Sequence, residues 1–326
     1  MGESLNKTNP DYELVIGLVA GGNPLSKSNP DYELISGLIN EKPTLSIEAT
    51  HQIIPISEVQ PVNLAGFKGD YTVMEVATAC KPVFGLYLFE KYPELDKLIY
   101  FDTDLWITDS VEPIIKNLDS FDIILTPHIT QPIDLQEQWN EKQFLNAGLY
   151  NTGFVGMKRS ENTIKFLTWW KNHLKDYGYY DFCNGMGIDQ LCANFVPLFF
   201  EKVLIEYSPA YNLAYWNLHE RKLSLVNEKV VVNDTENLMF FHFSGYSPDK
   251  PELLSKHIKS SKTSNYPVLK TLFSDYNEAL LRNHFQFFKS IIPTYGIYNS
   301  PKKEKNFIAQ TIEKSAWKVI NFIENF

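Results

Sequence analysis

Asp102-Thr103-Asp104 is the strongest chemical signal in the chain: two carboxylates at i and i+2, directly after the apolar run Leu98-Ile99-Tyr100-Phe101. Where a strand end bends, both acids can reach one bound cation. Hard divalent ions such as Mg2+ or Mn2+ take oxygen ligands and complete their shells with substrate phosphates. A D-x-D turn by itself is a common acidic turn, and the buried strand before it gives this one its weight. His242 lies in a second apolar run, residues 239–243 (MFFHF), and opens His242-x-x-Gly245-x-x-x-x-Lys250. Imidazole suits Mn2+ beside carboxylates, glycine admits backbone N–H groups close to phosphate oxygens, and lysine offers a mobile charge to a diphosphate. A core histidine followed by a surface lysine is the plain alternative. A third group, Trp216, Asn217 and His219 in YNLAYWNLHER (residues 211–221), joins rings and hydrogen-bonding groups as an acceptor wall for sugars does. A buried loop with satisfied polar groups is equally compatible with it.

Elements that could position these groups alternate along the chain. Residues 76–92 read as a helix, with Pro82 tolerable only near its start. A short strand follows at 98–101, a helical turn at 111–118, and strands at 121–125 (FDIIL) and 149–157 (LYNTGFVGM). Helices are expected at 160–176, capped by Ser160, and at 188–195; a last strand at 239–243 leads into a turn at 244–249. This alternation predicts an α/β sheet that binds ligands at its C-terminal strand ends. After about residue 256 the strand signals stop, and residues 267–288 and 302–326 read as helices around the break at 293–301. The division expected is a sheet domain over 1–255 and a helical region over 256–326. The last helix spaces Ile308, Ile312, Ala316, Val319, Ile320 and Ile323 near the helical period, as a face that docks on the sheet domain or touches a membrane surface.

The segment at residues 4–19 (SLNKTNPDYELVIGLV) recurs at 25–39 (LSKSNPDYELISGLI), so NPDYEL appears twice, twenty residues apart. Each copy predicts a turn feeding a strand; two copies are too few for a solenoid. The 326 residues are 44% hydrophobic and 21% charged, which excludes a chain disordered throughout. A net charge of −9 argues against a nucleic-acid binder, which needs a basic face. The aromatics, 14% of the chain, are mostly expected in the core. Cys80, Cys183 and Cys192 have neither disulfide nor zinc spacing and fit a reducing cytoplasm. The chain shows no signal peptide and no apolar run of membrane-spanning length, so the expected location is cytoplasmic.

Four motifs in order, Asp102-Thr103-Asp104, Asn151-Thr152-Gly153, Asp189-Gln190 with Asn194 after it, and His242…Gly245…Lys250, make residues 70–251 resemble glycosyltransferase family 8. Residues 211–221 are similar to bacterial polysaccharide and lipopolysaccharide glycosyltransferases. The resemblance implies a GT-A fold, a Rossmann-like mixed sheet flanked by helices, here with a helical C-terminal extension. It implies a metal-dependent, retaining transferase that moves sugar from a nucleotide sugar, UDP-linked by expectation, to a glycan or lipid-linked acceptor at the inner face of the membrane. Residue by residue, Asp102, Asp104 and His242 would hold Mn2+ or Mg2+. Lys81, Thr103, Asn151, Gly245 and Lys250 would hold the nucleotide sugar, and Asp189 and Gln190 would act at the transferred sugar. Asp189 also makes sense as a charge complementing a helix N-terminus. Family members open with a strand and long helix that cradle the base. Here the duplicated unit stands in that place, so the first strand is expected to be atypical or missing, with residues 15–22 (VIGLVAGG) as its replacement. Two other functions compete: a non-catalytic nucleotide-sugar or glycan-binding protein, and a D-x-D phosphatase with Asp102 as nucleophile.

Overall fold

The computed structural model describes residues 15–16, 35–38, 52–59, 71–134, 141–283, 285–290 and 315. Three short strands come first, β1 (Val15–Ile16), β2 (Ile35–Leu38) and β3 (Gln52–Pro55), paired in parallel in that order. β1 and β2 come from the two copies of the duplicated segment. They pair Val15 with Ile35 and Ile16 with Ser36, so each residue faces its own counterpart twenty positions on. The duplication has thus added a strand to a sheet, and β1 runs close to β4 (Lys97–Phe101) at the edge of the main sheet.

Helices α1 (Val73–Ala79) and α2 (Lys81–Lys91) precede β4. The sequence predicts one helix here, but Pro82 lacks an N–H and its ring collides with a preceding helical turn. The chain therefore breaks at Cys80 and restarts, which puts Lys81 at the first position of α2. After β4 come β5 (Leu105–Ile107), α3 (Glu112–Ser120), β6 (Ile123–Pro127), α4 (Glu141–Ala147), β7 (Tyr150–Lys158) and α5 (Glu161–Tyr177). Ser160 caps α5 as expected, its hydroxyl accepting from the Thr163 N–H at 3.0 Å. A small hairpin, β8 (Tyr180–Asp181) with β9 (Met186–Gly187), runs into α6 (Ile188–Leu191), a 3-10 turn at Cys192–Phe195, α7 (Val196–Phe199) and β10 (Val203–Ile205). The single helix expected at 188–195 is thus two short turns of different pitch.

The main sheet has the order β10-β6-β7-β4, with β7 antiparallel to both β4 and β6 and β10 parallel to β6. β6 and β7 are buried along nearly their whole length, as strands covered on both faces must be. On one face lie α1, α2 and α5 through Val76, Phe84, Leu88, Phe166, Leu167 and Trp170; on the other, Ile114 and Leu118 of α3 meet Phe101, Phe154 and Phe240. Each such side chain contributes roughly 1.5–3 kcal/mol.

Beyond β10 the chain forms a meander, β11 (Leu223–Val226), β12 (Lys229–Val232) and β13 (Glu236–Asn237), then β14 (Phe240–His242). Strands do not stop at residue 256: β15 (Leu253–Ser255) pairs with β16 (Ile258–Lys262) across the expected division. The sequence of β16, IKSSK, has no apolar alternation to reveal it. Helix α8 (Lys270–Arg282) packs back on β14, with Tyr276 stacked on Phe243 at 3.8 Å, and α9 (Phe285–Ser290) follows. The amphipathic pattern at 302–326 lies outside the described residues apart from Ser315. Among the described residues no helix is long and apolar enough to cross a membrane.

Candidate functional site

The D-x-D turn and His242 are 138 residues apart or more in sequence, and one strand pair joins them. β4 ends at Phe101, the chain turns through 102–104, and β5 then pairs antiparallel with β14 so that Leu105 faces His242. That register sets the His242 ring beside Asp104, Nε2 lying 3.1 Å from Oδ1. Asp102, Asp104 and His242 each bring a ligand atom within 4.8 Å of the others. Two carboxylates and one imidazole form a donor set suited to Mn2+ or Mg2+. Burial raises the Asp104 pKa, but the facing imidazole outweighs it and holds the carboxyl below its ordinary value.

The supporting shell orients these ligands. His242 Nδ1 sits 3.1 Å from Asn212 Oδ1; the network assigns the proton to Nδ1, which turns the Nε2 lone pair toward the cluster. Asn212 is fully buried and left-handed at φ +51, and its amide also donates to Thr126 Oγ1 and Asn151 Oδ1, each at 3.0 Å. Asn151 in turn donates to Gln190 Oε1 at 2.9 Å. One chain of hydrogen bonds thus runs from Gln190 through Asn151 and Asn212 to His242. A bulge makes it reachable: β6 pairs Leu125 with Val155 but Thr126 with Asn151, so residues 152–154 are looped out against it and Asn151-Thr152-Gly153 is aimed at the site.

Gly153 leaves room that no other residue would. A Cβ there would lie 2.6 Å from His242 Cε1, 2.7 Å from Asn151 Oδ1 and 3.0 Å from Asp102 Oδ2. Gly153→Ala is therefore expected to cost roughly 1–3 kcal/mol by overpacking and to abolish Mn2+ binding through displacement of His242 and Asp102. Thermal unfolding with Mn2+ titration checks it, and an alanine variant with parental Mn2+ affinity would refute the close fit.

Lys81 enters the same site from the first turn of α2. Its Nζ lies 2.7 Å from Asp189 Oδ2, 3.1 Å from Asp102 Oδ1 and 3.2 Å from the Thr152 carbonyl, with only 5% of the side chain exposed. Burial lowers its proton affinity, yet the two carboxylates more than offset this and hold the ammonium well above its usual range. Asp189 is 1% exposed and also accepts from Thr152 Oγ1 at 2.5 Å. It follows Ile188, a β-branched residue at φ +47, a conformation such side chains avoid unless the surroundings enforce it. Gln190 is partly exposed, and its Nε2 donates to the Ala147 carbonyl at 3.2 Å. Tyr100 donates to Asp102 Oδ1 at 2.5 Å. Asn194, by contrast, holds the entry to β7 through the Leu149 N–H at 2.7 Å.

Of the aromatic loop residues, Asn217 does not face a ligand. It is fully buried, its Oδ1 accepts from the Ala214 N–H at 3.0 Å, and its two amide protons go to the carbonyls of Asn212 and His128 at 3.0 and 3.2 Å. It ties down the loop that carries Asn212, which corrects the acceptor contact expected of it. His219 lies at the rim, 3.4 Å from the Gln131 carbonyl, next to the buried Glu220–Arg221 pair. Trp216 packs edge-on against His242 at 5.1 Å and His128 at 5.4 Å. Trp216 Nε1 and His128 Nδ1 are buried polar atoms with no partner among the described residues. Burial pushes the His128 pKa down to about 4.

The sign of that shift fixes a pH effect. The unfolded chain protonates His128 below its ordinary value near 6.5 while the folded protein stays neutral, so stability is lost as the pH falls from about 6.5 toward 4, up to about 3 kcal/mol. His128→Gln, which cannot titrate, is expected to flatten that part of the thermal-stability profile against pH. Parallel profiles for parent and variant would disprove it.

Thr103 is exposed at the tip of the D-x-D turn. Gly245, at φ +73, and the exposed Lys250 follow β14, on the turn that His242 opens. Sequence reasoning missed Tyr100, His128, Thr152 and Asn212. His128 directly follows a buried strand, which could have flagged it; Asn212 had no such signal, because a left-handed asparagine shows only in the backbone.

No family model matches the chain. Two curated relatives, uncharacterized proteins YfnF and YfnD of Bacillus subtilis (strain 168), are 27% identical over 195 residues and 23% identical over 196. Both matches cover 60% of this chain; they take in 64% of YfnF and 61% of YfnD, so the chain spans less than two thirds of the curated relatives it matches. Solved structures similar to it include galactosyltransferase LgtC with donor and acceptor sugar analogs, at 15% identity and a TM-score of 0.43 over 85% of this chain and 89% of that one. Mouse xyloside xylosyltransferase 1 matches at 12% identity and a TM-score of 0.36 over 71% and 97% of the two chains. A glycosyltransferase involved in glycosylation of the major capsid of PBCV-1 matches at 10% and 0.37 over 66% and 79%.

Proposed function

We propose that the protein is a metal-dependent glycosyltransferase of the GT-A type, moving sugar from a nucleotide sugar, UDP-linked by preference, to a glycan or lipid-linked acceptor with retention at the anomeric carbon. The observation that carries this reading is the Asp102–Asp104–His242 cluster joined by unbroken hydrogen bonds to Asn151 and Gln190. The donor set fits a divalent ion, and Gly153 keeps His242 and Asp102 free to close on one. When bound, the ion supplies charge neutralisation at the departing diphosphate. Lys81 holds Asp102 and Asp189 at fixed spacing and supplies a buried positive charge between them. Gln190, which is partly exposed, presents its amide to the hydroxyls of the transferred sugar, and Asn151, donating to its Oε1, fixes its position. Asp189, paired with Lys81 and Thr152, acts on the oxocarbenium-like centre by its charge rather than as a free base. Retention needs no such base, because the leaving phosphate can take the acceptor proton. Thr103, Gly245 and Lys250 serve the nucleotide end, and Trp216 and His219 line the acceptor side. In this reading the GT-A unit runs through the β15–β16 hairpin, and the helical region that follows packs back on it through α8.

The test is incubation with a panel of nucleotide sugars and Mn2+, followed by release of the nucleoside diphosphate and proton NMR of the product. Metal-dependent release with an α-linked product from a UDP-α-sugar supports the reading. A β-linked product would replace retention by inversion, binding without turnover would favour a sugar-binding protein, and release of inorganic phosphate from phosphomonoesters would favour the phosphatase.

A further inference from the structure

The hairpin β15–β16 brings to the site a residue that none of the sequence motifs contains. His257, at its tip, lies directly against the turn that follows β14: a Cβ on Gly245 would meet His257 Cδ2 at 2.6 Å and Nε2 at 3.0 Å, with Ser255 Oγ also at 2.6 Å. The hairpin is fastened there by the Lys256 N–H to the Gly245 carbonyl at 2.9 Å and by Ser255 Oγ to the Ser244 carbonyl at 2.7 Å. On its other side the ring stacks on Tyr215, centroids 5.9 Å apart and planes 30° from parallel. Tyr215 leans on Trp216, which leans on His242. The imidazole is therefore held between a ring and a glycine turn while remaining exposed.

Three further observations give this placement a direction. Neither ring nitrogen of His257 finds a partner among the described residues, although the ring is held on both faces. The N–H groups of Ser244 and Gly245 are likewise unbonded among the described residues, and a left-handed turn with free N–H groups makes an anion-binding concavity. At the end of the same turn Lys250 is exposed, while its neighbour Asp249 is engaged by Lys289 and by Gln286 at 2.9 Å.

We propose that His257 is a diphosphate-binding residue of this site, its Nε2–H donating to a phosphate oxygen of the nucleoside diphosphate held over the Gly245 turn. The proposal rests on the glycosyltransferase reading and adds to it a donor from an element the motifs do not reach. A preorganised N–H on a rigid ring aimed at an anion strengthens its hold on the leaving group without reorganising. The clamp also explains why residue 245 must be glycine even apart from its φ: any side chain would push the ring off the turn.

The experiment uses the full chain and compares UDP, GDP, ADP and dTDP in saturating Mn2+ by calorimetry, then Mn2+ alone by electron paramagnetic resonance. His257→Phe keeps the stack on Tyr215 but has no donor, and His257→Gln restores one. The expected result is about a tenfold loss of nucleoside-diphosphate affinity in the phenylalanine variant, recovery of most of it with glutamine, and unchanged Mn2+ affinity in both. Equal diphosphate affinity in parent and His257→Phe would overturn the proposal alone. A parallel loss of Mn2+ affinity would place the effect on Asp104 and overturn it too. A parent protein that binds none of the four diphosphates would overturn the glycosyltransferase reading and this proposal with it.

Discussion

Asp102→Asn is expected to remove metal-dependent nucleotide binding and to lower turnover by 10²-fold or more, while the protein still folds. The functional loss follows from the donor set. Among the described residues two carboxylates and one imidazole converge at the strand ends, and an amide oxygen in place of one carboxylate lacks the charge that a hard cation requires. The structural cost is small for a separate reason. Asparagine keeps an oxygen for the Tyr100 hydroxyl, and Lys81, on losing its partner at 3.1 Å, retains Asp189 at 2.7 Å, so no buried charge is stranded. A destabilisation of about 1 kcal/mol is the scale of the hydrogen-bonding change that remains. Calorimetric titration of UDP with and without Mn2+ on parent and variant, alongside thermal unfolding, decides it. Parental affinity in the variant would mean that Asp102 is no ligand. Collapse of the fold would mean that its role is structural.

The same residues mark the limit of what the sequence could reveal. Asp102, Asp104 and His242 were recognisable because strand-end carboxylates and an imidazole announce their chemistry by type. What brings them together was not, because β5 is three residues long and its pairing with β14 rests on registry rather than on any local pattern. The buried strand β6 was readable from its apolar run, β7 from the apolar residues around its Asn-Thr-Gly, and the Ser160 cap by residue type. β10 and the β11–β13 meander are short, partly exposed strands without a clean alternation. The break at Cys80 was not read from the sequence, which took Pro82 as tolerable in one helix over 76–92; only the structure shows a restart that seats Lys81 between two carboxylates. Asn217 was misplaced for a related reason, since polar residue types say nothing about whether their groups are already bonded to the backbone.

Lys81→Met carries the largest stability effect expected anywhere in this site. The ammonium is buried, and it is the cation 2.7 Å from Asp189, whose side chain is itself 1% exposed. Methionine fills a similar volume but leaves that carboxylate in a dry site with Thr152 Oγ1 at 2.5 Å as its remaining side-chain donor. Removing one partner of a buried ion pair costs about 3–5 kcal/mol, because the survivor keeps its desolvation penalty without its attraction. The attribution is tested by a second change: Lys81→Met combined with Asp189→Asn removes both charges, and the amide can still accept from Thr152. The double variant is expected to recover most of the lost stability in urea or thermal unfolding while remaining without turnover, since the charge that spaced Asp102 from Asp189 is gone. A double variant as unstable as Lys81→Met would show that lysine packs rather than pairs. A Lys81→Met protein with parental stability would show that Asp189 is solvated, and with it that the site is open where its burial says it is closed.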